Sequence, residues 1–401
     1  MSGLLLVALH AFIGEAAAAA EGDTLTTEYL GWVSAPNCRR GTLDLLYSCG
    51  FTIFLCTWSA LHLNVPADDD SDWTVWVRKL KWMSIAVLIP EYVAVVAVTE
   101  WWDARYLRRK MQLFCEGGSK PISMTQSFLP VMGGYALKTR ANSLIRLDGY
   151  QFLRLVMDRK ISIPTCTTDE INDRSKSDWV TKSLACIQVS WLVVQLVGRA
   201  SQGLAITTLE IFTCSTVICA LTAFGFWWSK PLDIRLPFVI VTGHDEDYIR
   251  ETLRNLMDSP RENAQHIDLT DVRFRKWGEN NLGPLVMVTA AAVVSSYKAC
   301  QLLAWNFDFP STAEQILWRA VILVSAAITL AWIPFFKTHP DQRFDQGRSG
   351  RGLNWSSPDM FMFLGYLSCR AYILIEIFIS LRSAPESVYR TVDWDRVLPH
   401  L

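Results

Sequence analysis

Charged side chains are scarce in this sequence. They make up 19 % of its 401 residues, against roughly 25 % in soluble domains, and they are bunched between long apolar stretches. With 51 % apolar residues and a mean hydropathy of +0.19, that pattern excludes an ordinary soluble enzyme and reads as a multi-pass membrane protein. A net charge of −1, no basic arm and no zinc-finger spacing exclude nucleic acid as a partner. Ten cysteines are too few for a disulfide scaffold in a chain of this length, and no CxxC pair occurs. The six histidines are scattered without an HExxH pair, which argues against a protein-ligated zinc or iron site. No metal and no cofactor is expected. A Gly-rich phosphate loop, a Gly-x-Ser-x-Gly elbow, a Cys and His nucleophile pair and internal repeats are absent as well.

What the chain does have is length in its apolar runs. Residues 1–20 resemble a secretory signal peptide, with an apolar run followed by Ala16 to Ala20 before Glu21. The basic n-region is missing and Glu15 interrupts the run, so an uncleaved anchor is the competing reading. Seven further segments, near 42–63, 82–101, 183–198, 206–228, 282–305, 316–336 and 360–381, approach the length needed to cross a hydrocarbon layer of about 30 Å at about 1.5 Å per residue. Trp82, Trp101, Trp227 and Trp305 stand at their edges, where amphipathic rings meet headgroups. The fold expected is an all-α polytopic transmembrane helical bundle. It has about seven spans after the leader, residues 21–401 forming a single membrane domain with little or no sheet.

Two connections, 102–182 and 229–281, are long and polar, and both fall on the same side of the membrane in this count. Residues 142–157 and 246–257 within them read as amphipathic helices. Orientation is left open by two opposing signals. A cleaved leader puts both segments in the lumen, whereas Arg39, Arg40, Arg105, Arg108, Arg109, Lys110, Lys337 and Arg343 on the same side argue for the cytoplasm.

Ionisable residues at membrane depth are costly, which makes them the candidates for chemistry. They are Asp44, His62, Glu91, Glu100, Glu210, Lys298, Arg319, Arg370 and Glu376. Asp44, His62, Glu100 and Glu210 stand near segment ends, from which a side chain can simply reach headgroups. Glu91 follows Pro90 in mid-segment, where proline frees a carbonyl and kinks a helix. Arg370 and Glu376 lie deep in the last span on different helical faces, so each is expected to pair with a neighbouring helix. Asp68, Asp69, Asp70 and Asp72 formally spell DDxxD, a magnesium-pyrophosphate pattern, but with no companion motif and Pro66 just ahead they read as a solvated acidic turn. Asn354, Trp355 and Ser356 form a lone glycosylation sequon.

Four stretches carry a resemblance: GWVSAPNCRRGTLDLLYSCGFTIFLCTWSALHLNVP at 31–66, KWMSIAVLIPE at 81–91, QGLAITTLEIFTCSTVICALTAFGFWWSKPLDI at 202–234 and SCRAYILIEIF at 368–378. Together they resemble a family of multi-pass membrane proteins of filamentous fungi. Within that resemblance fall the integral membrane terpene cyclases of meroterpenoid pathways, of the ascofuranone and macrophorin type. It implies an endomembrane enzyme that cyclises a hydrophobic prenylated small molecule by protonating an epoxide or alkene, without a metal. Such chemistry needs a buried carboxylic acid and aromatic walls. The acid candidates are Glu91 first, then Asp44, Glu210 and Glu376, with Trp58, Tyr92, Trp191, Phe226, Tyr297 and Tyr372 as possible walls. A non-catalytic polytopic protein, whether transporter, receptor or membrane organiser, is the alternative.

Overall fold

The computed structural model describes residues 28–34, 40–68, 70–114, 121–164, 166–175, 179–256, 283–338 and 357–394. The leader at 1–20, Asp69 and the sequon at 354–356 lie outside the described residues. In chain order the elements are β1 (Tyr29–Leu30), α1 (Thr42–Ala60), α2 (Asp72–Leu88), α3 (Pro90–Leu113), α4 (Met124–Val131), β2 (Tyr135–Lys138), β3 (Leu144–Leu147), α5 (Gly149–Met157), α6 (Thr168–Arg174) and α7 (Trp179–Ser201). There follow α8 (Thr208–Phe226), β4 (Phe238–Val241), α9 (Glu246–Leu256), α10 (Gly283–Leu302), α11 (Thr312–Thr338), α12 (Ser357–Ile379) and β5 (Ala384–Pro385). The protein is a predominantly helical multi-pass membrane protein. Among the described residues six helices are long and apolar enough to cross a bilayer, with apolar windows at Thr42–Ala60, Ser183–Ser201, Thr208–Phe226, Pro284–Asn306, Thr312–Ala331 and Met360–Arg382.

The span expected at 82–101 is not one helix. Between α2 and α3 the chain bends by 113°. Ile89 leaves helical geometry at φ −139° and ψ 66°, and Pro90 opens α3 at its first position. Proline has no N–H to give to the preceding turn, and its ring biases the residue before it towards extended backbone. Pro90 therefore ends one helix and starts another.

The chain forms two compact units. The first takes the described residues of 1–59, 180–221 and 290–401. It holds α1, α7 from Val180 onward, most of α8 and α10, and all of α11 and α12. Its core joins Leu45, Phe212, Trp318, Ile322, Ile373 and Ile377, with Val189, Leu192, Cys214 and Cys300 in a second cluster. At one end β1 pairs antiparallel with β5, and Tyr389 donates its hydroxyl to the carbonyl of Gly31 at 2.9 Å. Arg199, at the end of α7 and only 2 % exposed, clips this end together. Its guanidinium donates to the carbonyls of Ala205 (2.7 and 3.1 Å), Ser387 (2.9 Å), Val388 (3.0 Å) and Arg390 (3.0 Å).

The second unit takes the described residues of 60–179 and 222–289, and it corrects the expectation of two polar loops. Both long segments are folded, and they share a sheet: β2 is flanked by β3, antiparallel, and by β4, parallel. The expected helix at 142–157 is strand in its first part. Leu144–Leu147 pairs with β2, and the helix begins only after Asp148, whose carboxylate caps the N–H groups of Tyr150 and Gln151. The sheet and α4, α5 and α9 enclose a core of Leu129, Tyr135, Leu147, Phe152, Ile249 and Leu253, with the Tyr135 and Phe152 rings stacked at 4.7 Å. Gly134 is required where β2 starts, because a Cβ there would stand 2.9 Å from the Leu129 carbonyl oxygen. The Ser143 hydroxyl ties the β2–β3 turn to Glu246 at 2.8 Å; this hydrogen bond, more than the neighbouring Arg250, holds the Glu246 carboxyl below its ordinary range.

Replacing Arg199 by Lys keeps the charge but loses the fork that reaches four carbonyls at once. Several buried acceptors lose their donor, at about 1–3 kcal/mol each. Arg199→Lys is expected to lower the thermal midpoint of the detergent-solubilised protein and to speed proteolysis beyond residue 386; unchanged values would mean that another contact holds this end.

Candidate functional site

Two of the four acid candidates are helix caps. Asp44, exposed in the first turn of α1, accepts the N–H of Gly41 through Oδ2 at 2.9 Å. Glu210 forms a capping box with Thr207 at the start of α8: its Oε2 accepts the Thr207 N–H and hydroxyl, both at 2.9 Å, and the Glu210 N–H donates to Thr207 Oγ1. Its Oε1 takes Arg40 Nη2 at 2.7 Å. Arg40 and Gly41 thus join Asp44 and Glu210 at one end of the first unit, where these contacts of the two carboxylates serve the backbone, a capping hydroxyl or an ion pair.

Glu376 and Glu91 are different. Glu376 is buried in the later half of α12, and its Oε1 has no hydrogen-bond partner among the described residues. Tyr372 lies one turn earlier, and the field of Glu314 and Arg382, themselves ion-paired, reaches Glu376. Glu91 belongs to the second unit. It stands in the first turn of α3 at the break after Ile89 and is 3 % exposed. The next residue, Tyr92, stacks on Trp82 of α2 with centroids 6.3 Å apart. The same unit holds an aromatic cluster of Trp82, Tyr92, Trp101, Phe128, Phe226 and Trp227, with Trp101 edge-on to Phe226 at 5.6 Å.

The expected walls divide in the same way. Tyr92 and Phe226 join that cluster, whereas Tyr297 and Tyr372 stand in the first unit. Trp191 packs against Trp394 and Trp58 against Phe54. Arg370 is buried in the first unit as expected of a residue paired across helices, and it donates through Nη1 to the hydroxyl of Tyr297 on α10. Lys298 lies 5.0 Å from the same ring and donates to Ser325 Oγ at 3.2 Å. Arg319 instead bonds the Trp305 carbonyl at 2.9 Å.

Glu100 corrects the headgroup reading. It is 1 % exposed, and its Oε2 accepts from Lys230 Nζ and from Trp227 Nε1, both at 2.6 Å. Lys230 also donates to Asn64 Oδ1 at 2.9 Å. Burial pushes the Lys230 ammonium below its ordinary value, and Glu100 opposes that push. Lys230 escaped the sequence reading because it follows the apolar run and looks like a loop lysine; the Trp227 and Trp228 pair just before it was the signal that the chain still lies against packed surface. His62, likewise expected to reach headgroups, is fully buried beside Trp227.

The acidic run is also more than a solvated turn. Asp68 pairs with Arg146 at 2.6 Å, Asp70 with Arg78 and Asp72 with Arg235, while Ser71 caps α2. Asp68 and Asp72 stay largely in solvent, at 47 % and 77 % side-chain exposure, but Asp70 is buried at 5 %. Among the described residues no three His, Cys, Asp or Glu side chains come together as a metal site would require.

A family model matches residues 6–275 and 278–401. The chain belongs to DUF8562, a family of unknown function. No curated protein and no solved structure matches it. For this DUF8562 member the chemistry has therefore to be argued from the buried groups themselves.

The Glu100 and Lys230 pair makes a direct test. Removing either partner of a buried pair strands the other charge, at about 3–5 kcal/mol, while removing both is far cheaper. Glu100→Gln and Lys230→Met should each lower thermal stability markedly, and the double variant should lose much less than the sum, measured as a coupling energy by thermal unfolding. Additive losses would deny the pair.

Proposed function

We propose that this protein is an integral membrane terpene cyclase of fungal secondary metabolism that initiates cyclisation with Glu91. The observation that carries the reading is a carboxyl group 3 % exposed, at a helix break and next in sequence to Tyr92, a member of the second unit's aromatic cluster. Acid-initiated cyclisation asks for a carboxyl shielded from water and for ring faces that attract a developing carbocation, at about 0.5–2 kcal/mol per contact. Trp82, Tyr92, Trp101 and Phe226 supply those faces.

Competing acids are less suited. Asp44 and Glu210 serve as caps. Glu376 belongs to the first unit, whereas the aromatic cluster belongs to the second. In the reaction the carboxyl proton adds either to an epoxide oxygen, whose C–O bond then opens, or to an alkene carbon, and in both cases a cationic carbon is left on the prenyl chain. The π electrons of the chain then close carbon–carbon bonds, and a proton is lost at the end, so substrate and product are isomers. The substrate is a hydrophobic prenylated small molecule drawn from the bilayer, and the setting is the endoplasmic reticulum or another endomembrane.

Microsomes from a host expressing the chain, fed prenylated phenols and their epoxides, should yield products of unchanged mass. Glu91→Gln keeps the shape and removes the proton, so turnover should fall by about a hundredfold or more while the protein still accumulates. Glu376→Gln should cost far less. Lack of conversion by the native chain would overturn the cyclase reading; full turnover by the Glu91→Gln variant would remove Glu91 as the acid.

A further inference from the structure

Whether α2 and α3 together cross the membrane is decided by contacts at the ends of other helices. A chain that returns to the side it left has crossed an even number of times. β1, ahead of α1, pairs with β5, after α12, and the Arg40 N–H donates to the Tyr389 carbonyl at 3.1 Å. The six apolar helices between them satisfy this; a crossing by α2 and α3 would make the number odd. The contact of Arg40 with Glu210 at 2.7 Å repeats the requirement over a shorter stretch, since α1 and α7 are the two crossings that separate them. Within the second unit Asn64, just after α1, meets Lys230, just after α8, at 2.9 Å; α7 and α8 are the crossings between those two. An added crossing would break each of the three closures. The segments at 257–282 and 339–356 are too rich in charge to supply a compensating one.

Yet α2 carries an apolar face turned outward. Trp73 is 74 % exposed, Trp76 51 %, and Val77, Leu80 and Leu88 more than 40 %. With Ser84 they fall on one side of the helix at three- and four-residue spacing, while Trp82 and Ala86 on the other side are buried in the second unit. The helix begins shortly after α1 leaves the bilayer at Ala60. Among its basic residues Arg78 pairs with Asp70 and Lys79 with Asp233, while Lys81 stays exposed beside the apolar face.

We infer that α2 is an in-plane helix whose Trp73, Trp76, Val77, Leu80 and Leu88 face is seated in the lipid bilayer at the boundary of headgroups and acyl chains, and that the chain crosses six times. The partner is the bilayer itself. Indole rings favour that depth, an amphipathic helix there buries its apolar side about 5–10 Å into the layer, and with Arg78 and Lys79 paired and only Lys81 exposed the attachment is mainly apolar. This inference is independent of the cyclase reading.

A fluorescent amino acid placed singly at Val77, Leu80, Ser84 and Leu88 in the full-length protein, reconstituted in phosphatidylcholine vesicles, reports depth through quenching by lipids labelled at shallow and deep acyl positions. The four sites should share one shallow depth, with quenching unchanged by added salt. A depth that climbs from 77 to 88 at about 1.5 Å per residue, or quenching by aqueous quencher alone at all four, would overturn the inference. Independently of those variants, epitopes inserted after Thr24 and after Leu401 should be cleaved together or protected together when sealed microsomes meet protease. Protection of one and cleavage of the other would defeat the count of six.

Discussion

Buried polar groups in this protein are answered largely by other protein groups, and that constraint governs where its charged residues stand. Each unmet group costs several kcal/mol in hydrocarbon. Arg199 therefore spends its guanidinium on four backbone carbonyls at an end where the chain has left helical geometry. Glu210 accepts the Thr207 N–H at the start of α8 and takes Arg40 as counter-charge. Glu100 and Lys230 neutralise one another inside the second unit, with Trp227 and Asn64 completing their hydrogen bonds. A charged residue near a span is thus a poor guide to catalysis by itself: most of the candidates turn out to be holding backbone or one another.

The second constraint is the proline at position 90. It converts an apolar stretch that reads as one span into two helices at 113°, and it does so by removing a donor and biasing Ile89, not by any tertiary contact. The consequence reaches well beyond the local bend. With an even number of crossings between them, β1 and β5 can pair, while the two long segments, separated by α7 and α8 in either count, share a three-stranded sheet.

That sheet changes what the protein offers chemically. The second unit has its own packed core and an aromatic cluster with a buried carboxyl at its helix break. Prenyl cyclisation fits such a setting, since the carbocation it generates is held by ring faces and kept from water.

The amino-acid sequence by itself determined the membrane class, the positions of the six long apolar helices among its seven expected spans, and the kink at Pro90; it also carries the capping residues, which read there only as charges near span ends. Hydropathy over a span, Thr207 three residues ahead of Glu210, and Pro90 are all local properties, and hydrocarbon leaves a long apolar run few alternatives to a helix. The partner of Glu100 lies 130 residues away, and β2 finds β4 about as far along the chain; no local pattern encodes either choice. The strand at Leu144–Leu147 lost its apparent helical pattern for the same reason, because pairing with β2 outweighed a propensity worth only tenths of a kcal/mol per residue. Only the tertiary structure decided those pairings, and with them the number of crossings, because burial and charge neutralisation are satisfied between segments that meet in space and not along the chain.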